Sequence, residues 1–346
     1  MAGSAAGLPD EAGGLRARGA GATGLRLSEL GFGGSMLGNL YQATTDEQGR
    51  DAVDGAWRAG VRYFDTAPHY GLGLSETRLG RFLTERPRDA FVVSTKVGRL
   101  LVDDPSGAGR RDDAGFDVPA SARRVWDFSR DGVVRSLESS LERLGMDRID
   151  VVYLHDPDDH WEQAVGEGYP ALDQLRSEGV VRAIGAGMNQ SAMLARFVRE
   201  TDVDVVMVAG RYTLLEHGAL ADLLPAALER GVAVVAAGVF NSGVLASTRP
   251  GPGAKYNYAA APPELLDRAQ RMAAVCERHQ TTLPAAALHF PLGHPAVASV
   301  VVAVKDGDEM RANAAAFRAG VPSAAWQELR AEGLLDPAAP VPGDAP

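Results

Sequence analysis

A single cysteine, Cys276, leaves this 346-residue chain without an internal disulfide and suits a reducing compartment. No stretch approaches the roughly 18 uninterrupted apolar residues of a bilayer-spanning helix. The N-terminus has neither the basic head nor the apolar core of an export signal, so a cytoplasmic protein is expected. Net positive charge is also missing. With 35 Lys and Arg against 45 Asp and Glu, the balance of −10 argues against nucleic acid or an anionic membrane as the main partner. Finally, no full dinucleotide fingerprint of the open-sheet type is present. Gly31-Phe32-Gly33-Gly34 follows a strand and Asp51 lies about 20 residues on, but Met36 fills the third glycine slot. In Gly71-Leu72-Gly73 that slot holds Glu76, and both segments read as turn glycines.

What is present is a rhythm. Hydrophobic residues make up 45% of the chain, enough for a sizeable core. Strand-length apolar runs fall at 30–35, 61–65, 91–96, 149–155, 181–187, 205–209, 232–237 and 297–302. Amphipathic helices are expected at 45–59, 76–83, 130–144, 170–178, 192–200, 219–230, 263–279 and 308–318, the first opened by a Thr45/Gln48 capping box. Near-continuous apolar strands alternating with helices imply a parallel sheet covered on its outer face. Eight such units favour an α/β fold of the closed (β/α)8 TIM-barrel type, with a long polar loop after the third strand, about 98–129. Residues 1–23, rich in Ala and Gly, and the Pro/Ala-rich tail 336–346 are expected to be mobile, leaving 24–335 as one barrel domain.

Four residues sit where strands give way to loops: Asp65 and Tyr70 in VRYFDTAPHYGLG, Lys96 ending FVVSTK, and His155 ending IDVVYLH. The C-terminal mouth of such a barrel is where its chemistry is done. Each alone has a dull explanation as a cap, a loop aromatic or a solvated strand end. Together they form a proton-relay set. A free tyrosine has a pKa of about 10, too high for easy exchange near neutrality. A nearby Lys96 would stabilise tyrosinate, Asp65 would hold the lysine, and His155 could orient and polarise a substrate oxygen. Hydride must come from or go to a cofactor, because no side chain carries it.

This tetrad resembles that of the aldo-keto reductases, and the resemblance extends from about Leu25 to Phe317. Segments such as KVGRLL, AIGAGMNQ, AGRYTLLEHG, FNSGVLAS and KYNYAAAPPELL resemble the family's sugar 1-dehydrogenase branch. That implies oxidation of an aldose, or a related cyclic hemiacetal, to a lactone with a nicotinamide dinucleotide as acceptor. The alternative is NADPH-dependent reduction of aldehydes or ketones by the same tetrad. The resemblance makes Trp126 and Trp161 candidate walls for the substrate ring. On the cofactor side it implies Asn189 at the carboxamide, and Ser242, Gly243 and Leu245 at the pyrophosphate. Asn313 is implied at the adenine. Relatives carry a glutamine and a stacking tyrosine where this chain has Ala209 and Ala237, so Phe240 is the candidate stacking ring. Glu309 stands where NADP-using relatives place an arginine, beside Asp306 and Asp308. Carboxylates there favour NAD over NADP, while Lys305 pulls the other way.

Two other classes remain on the sequence. His155-Asp156-Pro157-Asp158-Asp159-His160 is rich in metal ligands, as a barrel hydrolase would be, but strands five to eight add none and Tyr70 and Lys96 would be idle. No metal is expected. A cofactor-binding regulatory subunit is the other, and an intact proton relay argues against it.

Overall fold

The computed structural model describes residues 15–344 except 108 and 258. Its chain starts with a hairpin, β1 (Ala17–Gly19) against β2 (Arg26–Ser28). The barrel strands then follow in order: β3 (Leu30–Gly33), β4 (Tyr63–Asp65) and β5 (Val92–Val97). Between β5 and the next barrel strand stands an antiparallel pair, β6 (Arg99–Asp103) and β7 (Ala122–Trp126). The barrel continues with β8 (Val151–His155), β9 (Ala183–Met188), β10 (Val205–Ala209) and β11 (Ala233–Ala237). A small ribbon, β12 (Lys255–Tyr256) with β13 (Ala259–Ala260), precedes the last barrel strand, β14 (Val297–Ala303). All eight barrel pairings are parallel, and β14 closes the ring on β3, with Val300 opposite Leu30.

Both faces of each strand are buried, yet the period of two persists within the apolar runs. In β10, Val206 and Val208 pack outward against the helices, whereas Val205 and Met207 pack inside the barrel. In β8, Val152 and Leu154 face out, and Val151 and Tyr153 face in. Continuing the inward parity by two residues runs from Tyr63 to Asp65, from Val92 through Ser94 to Lys96, and from Tyr153 to His155. Strand parity thus carries three of the four tetrad residues to one inner rim. Below them the β1–β2 hairpin plugs the opposite end, its Ala20, Leu25 and Leu27 joining the interior cluster.

The helices lie close to the expected positions. Thr45 and Gln48 make the reciprocal capping box of helix Asp46–Arg58, and Arg130–Leu144 starts on a Ser129 cap and ends at Gly145, whose φ is 60°. The helix expected at 219–230 starts only at Leu223, after a separate turn at Gly218–Leu220. Helix Tyr169–Ser177 is preceded by a π-turn, Ala164–Gly168, running from a short helical turn at Trp161–Gln163. Pro170 has no N–H to give, and the wide turn lets Tyr169 N–H reach Ala164 O.

The expectation of mobile ends is corrected where the chain is described. Residues 1–14 and 345–346 lie outside the described residues. Residues 15–23 belong to the barrel plug, with Leu15 buried. The tail is docked as well: Ala339 and Val341 are buried, and Pro340 approaches Gly293 so closely that a Cβ there would lie 2.6 Å from its carbonyl oxygen. Alanine-rich composition hid both, because a few well-placed apolar contacts suffice once a preformed surface awaits them. Among the described residues no helix is long and apolar enough to cross a membrane.

Candidate active site

The mouth of the barrel opens into a cleft of about 720 Å³. At its floor Lys96, 2% exposed, spends all three of its ammonium hydrogens. Nζ donates to Asp65 Oδ2 at 2.6 Å, to Thr66 O at 2.9 Å and to Tyr70 OH at 3.1 Å. Asp65 Oδ1 accepts from Ser94 Oγ at 2.7 Å, and Ser94 Oγ is 3.1 Å from Tyr63 OH. That hydroxyl lies 3.0 Å from Tyr153 OH. Ser94 Oγ, within donating reach of both the carboxylate and Tyr63 OH, joins Asp65 to the tyrosine pair. The carboxylate is therefore the end of a hydroxyl chain rising through the barrel interior.

Electrostatics follow from burial and these contacts. Burial pushes the Tyr70 hydroxyl above its ordinary value, and Lys96 pulls it back without cancelling the rise. The lysine acts in the expected direction, but desolvation outweighs it. Burial works against the Lys96 ammonium too, yet Asp65 and Tyr70 together hold its pKa above the usual value. It stays charged. Across from Tyr70 the His155 ring stands edge-on, centroids 5.9 Å apart at 90°. Burial, reinforced by Arg99 and Lys96, lowers its pKa well below the ordinary value, so the imidazole is neutral. Its Nδ1 is buried without a hydrogen-bond partner.

His69, beside Tyr70, joins this wall although sequence reasoning passed over it. Its ring is 5.6 Å from His155 and 5.2 Å from Phe116, and burial, then Arg99, Arg124 and Lys96, push its pKa down to about 2. His217, His289 and His294 are also lowered, by burial first. Unfolded, each of these histidines binds a proton below about pH 6.5; folded, each resists it. Stability is therefore complete above that pH and falls as pH drops below it, by at most about 1.4 kcal/mol per pH unit for each group. Urea unfolding at about pH 7.5 and about pH 5.5 should show the loss, and equal stabilities would refute the neutral assignments.

The segment between β5 and helix Arg130–Leu144 covers one side. Arg124 grips Asp112 with both terminal nitrogens, at 2.6 and 3.0 Å, and also donates to His69 O at 2.8 Å. This fastening sets Ala114 and Phe116 on the cleft wall, where Phe116 bridges to Leu40 and Tyr41 N–H bonds Gly115 O at 2.9 Å. Neither tryptophan expected there lines it. Trp126 lies on β7, stacked on Phe128 at 5.9 Å and lying under the Arg99 guanidinium at 4.3 Å. Trp161 packs on Phe197 at 4.7 Å, under Arg196. His160, the far member of the acidic loop, turns to Trp126 at 4.9 Å. Among the described residues no three His, Cys, Asp or Glu side chains converge as a metal site.

The other side of the cleft carries most of the residues expected to meet a dinucleotide. Asn189, Phe240, Ser242, Gly243 and Glu309 line it. Three successive residues after β11 have positive φ: Asn241 (46°), Ser242 (60°) and Gly243 (106°). Such strain collects where a ligand is clamped, and the turn is over-determined. Asn241 Oδ1 accepts from Thr213 Oγ1 at 2.6 Å, while a Cβ on Gly243 would meet nothing within 4 Å, so its face is open. Leu245 does not reach the cleft. Its side chain is in the core and its N–H is bonded to Phe240 O at 3.1 Å. Lys305 also stays off the wall, paired with Glu309 at 3.2 Å, and Asn313 sits one helical turn beyond Glu309, off the lining.

The Aldo/keto reductase family profile matches residues 29–331. The chain is 49% identical over 321 residues to a D-threo-aldose 1-dehydrogenase of a Pseudomonas species, covering 92% of this chain and 97% of that protein. To a pyridoxal 4-dehydrogenase of Microbacterium luteolum it is 39% identical over 335 residues, with the same coverages. Among solved structures, the holo form of an aldo-keto reductase from Bacillus halodurans superposes with a TM-score of 0.73 at 26% identity. That match covers 95% of this chain and 99% of the other.

Proposed function

Since the chain belongs to the Aldo/keto reductase family, as an oxidoreductase acting on CH–OH groups, we propose that it oxidises the anomeric carbon of an aldose, or of a related cyclic hemiacetal, to a lactone. The observation that carries this reading is Lys96 Nζ, held between Asp65 Oδ2 at 2.6 Å and Tyr70 OH at 3.1 Å beneath the cleft. A bound nicotinamide supplies the hydride acceptor. Tyr70 takes the proton of the anomeric hydroxyl, and Lys96 offsets the cost of a buried tyrosinate. Asp65, fixed by Ser94, keeps the lysine charged and in place. Neutral His155 has one ring N–H to donate to the reacting oxygen. Phe116 and His69 bound the substrate space, and similarity to an enzyme named for D-threo-aldoses favours a sugar there.

Asn189, Phe240, Ser242 and Gly243 hold the dinucleotide, with Phe240 the candidate partner of the nicotinamide ring. The acceptor is NAD rather than NADP. Glu309 lines the cleft, and it pairs with Lys305, the residue expected to favour a 2′-phosphate. The Michaelis constant for NAD should lie below that for NADP by about tenfold or more. The reverse order would sink the charge argument.

Nicotinamide absorbance tests the whole reading, with purified protein, NAD or NADP, and L-fucose, D-arabinose, L-galactose or pyridoxal. Growth of reduced cofactor with a sugar is the expected result. Consumption of NADPH by an aromatic aldehyde, with no sugar oxidised, would replace the proposal by an aldehyde reductase.

A further inference from the structure

One charged group on the substrate side has no part in the proton relay. Asp156 follows β8 and lines the cleft, and its backbone is left-handed, with φ at 42°. Asp and Asn are the side chains that tolerate this region best, but it still costs energy and needs a reason. The Asp156 carboxylate Oδ2 lies 3.7 Å from His155 Nε2 and accepts from Arg99 Nη2. Arg99 is itself buried against the Trp126 ring, 4.3 Å away. Trp126, expected as a wall, thus serves as the backing of an arginine that holds an acid at the mouth.

Arg99 engages Oδ2, while the Asp156 side chain is 33% exposed and lines the cleft, so acceptor capacity on a charged group is left for a ligand. Next to it His155, 6% exposed, lines the same cleft. If His155 marks the reacting oxygen, a carboxylate whose Oδ2 lies 3.7 Å from Nε2 stands within reach of a hydroxyl on the neighbouring carbon. A carboxylate is acceptor-only and selects a donor, which a hydroxyl is and a C–H is not.

We propose that Asp156, held by Arg99, is a specificity-determining residue that accepts a hydrogen bond from the substrate hydroxyl vicinal to the reacting carbon, restricting turnover to 1,2-dihydroxy substrates. This deepens the aldose reading and rests on it. A charge-assisted bond of this kind distinguishes a substrate with the hydroxyl from one without it by about 10- to 100-fold. A site built for a donor also rejects the analogue lacking it more strongly than an apolar wall would.

The test is a cycle of two enzymes and two substrates: wild type and Asp156→Asn, each with an aldose the wild type oxidises and its 2-deoxy analogue. Asn keeps the shape, tolerates the left-handed backbone and can still accept from Arg99, so the variant should fold, with a lower thermal midpoint because Arg99 loses its counter-charge. Removing the hydroxyl also alters the intrinsic reactivity of the anomeric carbon, but equally for both enzymes, and the cycle cancels that effect. The expected result is that the wild-type preference in kcat/KM for the aldose falls by about 10- to 100-fold in Asp156→Asn. An equal preference in both enzymes, with both folded, would overturn the assignment of Asp156. If the wild type oxidises no aldose at all but reduces aldehydes, the aldose reading itself fails. In that event the cycle is run with glyceraldehyde and propanal as the hydroxylated and plain aldehydes, and the same criterion applies to Asp156.

Discussion

Tyr70→Phe should lower turnover by about 10²- to 10⁴-fold while leaving cofactor affinity nearly unchanged. The substitution removes one oxygen and little else. The ring keeps its packing on Phe116 at 6.0 Å and on His155. Lys96 loses one of three acceptors but retains Asp65 Oδ2 and Thr66 O, so the floor of the cleft should hold its shape. Stability should fall modestly, because one hydrogen of a buried ammonium is left without its acceptor. Steady-state absorbance gives turnover, and quenching of protein fluorescence by NAD gives affinity. Retention of most of the activity would remove Tyr70 from its role. Loss of binding together with activity would mean that the hydroxyl organises the site and does not carry the proton.

The tetrad was legible because it obeys a rule of strands. Asp65, Lys96 and His155 extend the inward parity of β4, β5 and β8 by one step, and polar residues ending buried apolar runs are visible in a string of letters. Tyr70 needed the longer motif, since a turn residue has no parity. Residues whose position depends on tertiary packing were not legible. Trp126 sits on a two-stranded excursion whose facing cannot be read locally, and it turned out to back Arg99. Leu245 follows two turn residues that do line the cleft, but the tight turn after β11 sends its side chain to the core. Asp156 and His69 were missed for the opposite reason. Both abut a more conspicuous neighbour, and only the coordinates show that Asp156 takes a left-handed backbone to face the same space. At the chain ends, composition misled: Leu15 and Val341 each find a surface that the rest of the chain has already built.

The largest effect on the fold itself is expected from Lys96→Met, a near-isosteric change at a side chain 2% exposed. Removing one partner of a buried ion pair costs about 3–5 kcal/mol, because the charge left behind has lost its counterion. Here that charge is Asp65, also 2% exposed and left with the Ser94 hydroxyl alone. Burial already raises the Asp65 pKa even with the lysine present, and without it the rise must be larger. A carboxyl whose folded pKa exceeds its unfolded one binds more protons when folded, so its contribution to stability grows as pH falls toward the folded value. The deficit of Lys96→Met relative to wild type should therefore shrink on acidification. Burial, the largest cause of the histidine depressions, is common to both proteins, and relief of the smaller Lys96 contribution at His155 and His69 shrinks the deficit in the same direction. Adding Asp65→Asn removes the stranded charge and should recover most of the lost stability, as replacing both members of a buried pair usually does. Activity should stay abolished in the single and double variants alike, because neither can stabilise a tyrosinate. Urea denaturation of the two single variants and the double variant measures the coupling, with unchanged m values as the check on the denatured state. Strictly additive losses would show that Asp65 and Lys96 are not a stability unit, and the tetrad's hold on the barrel floor would then rest on Ser94 and the tyrosine pair beneath it.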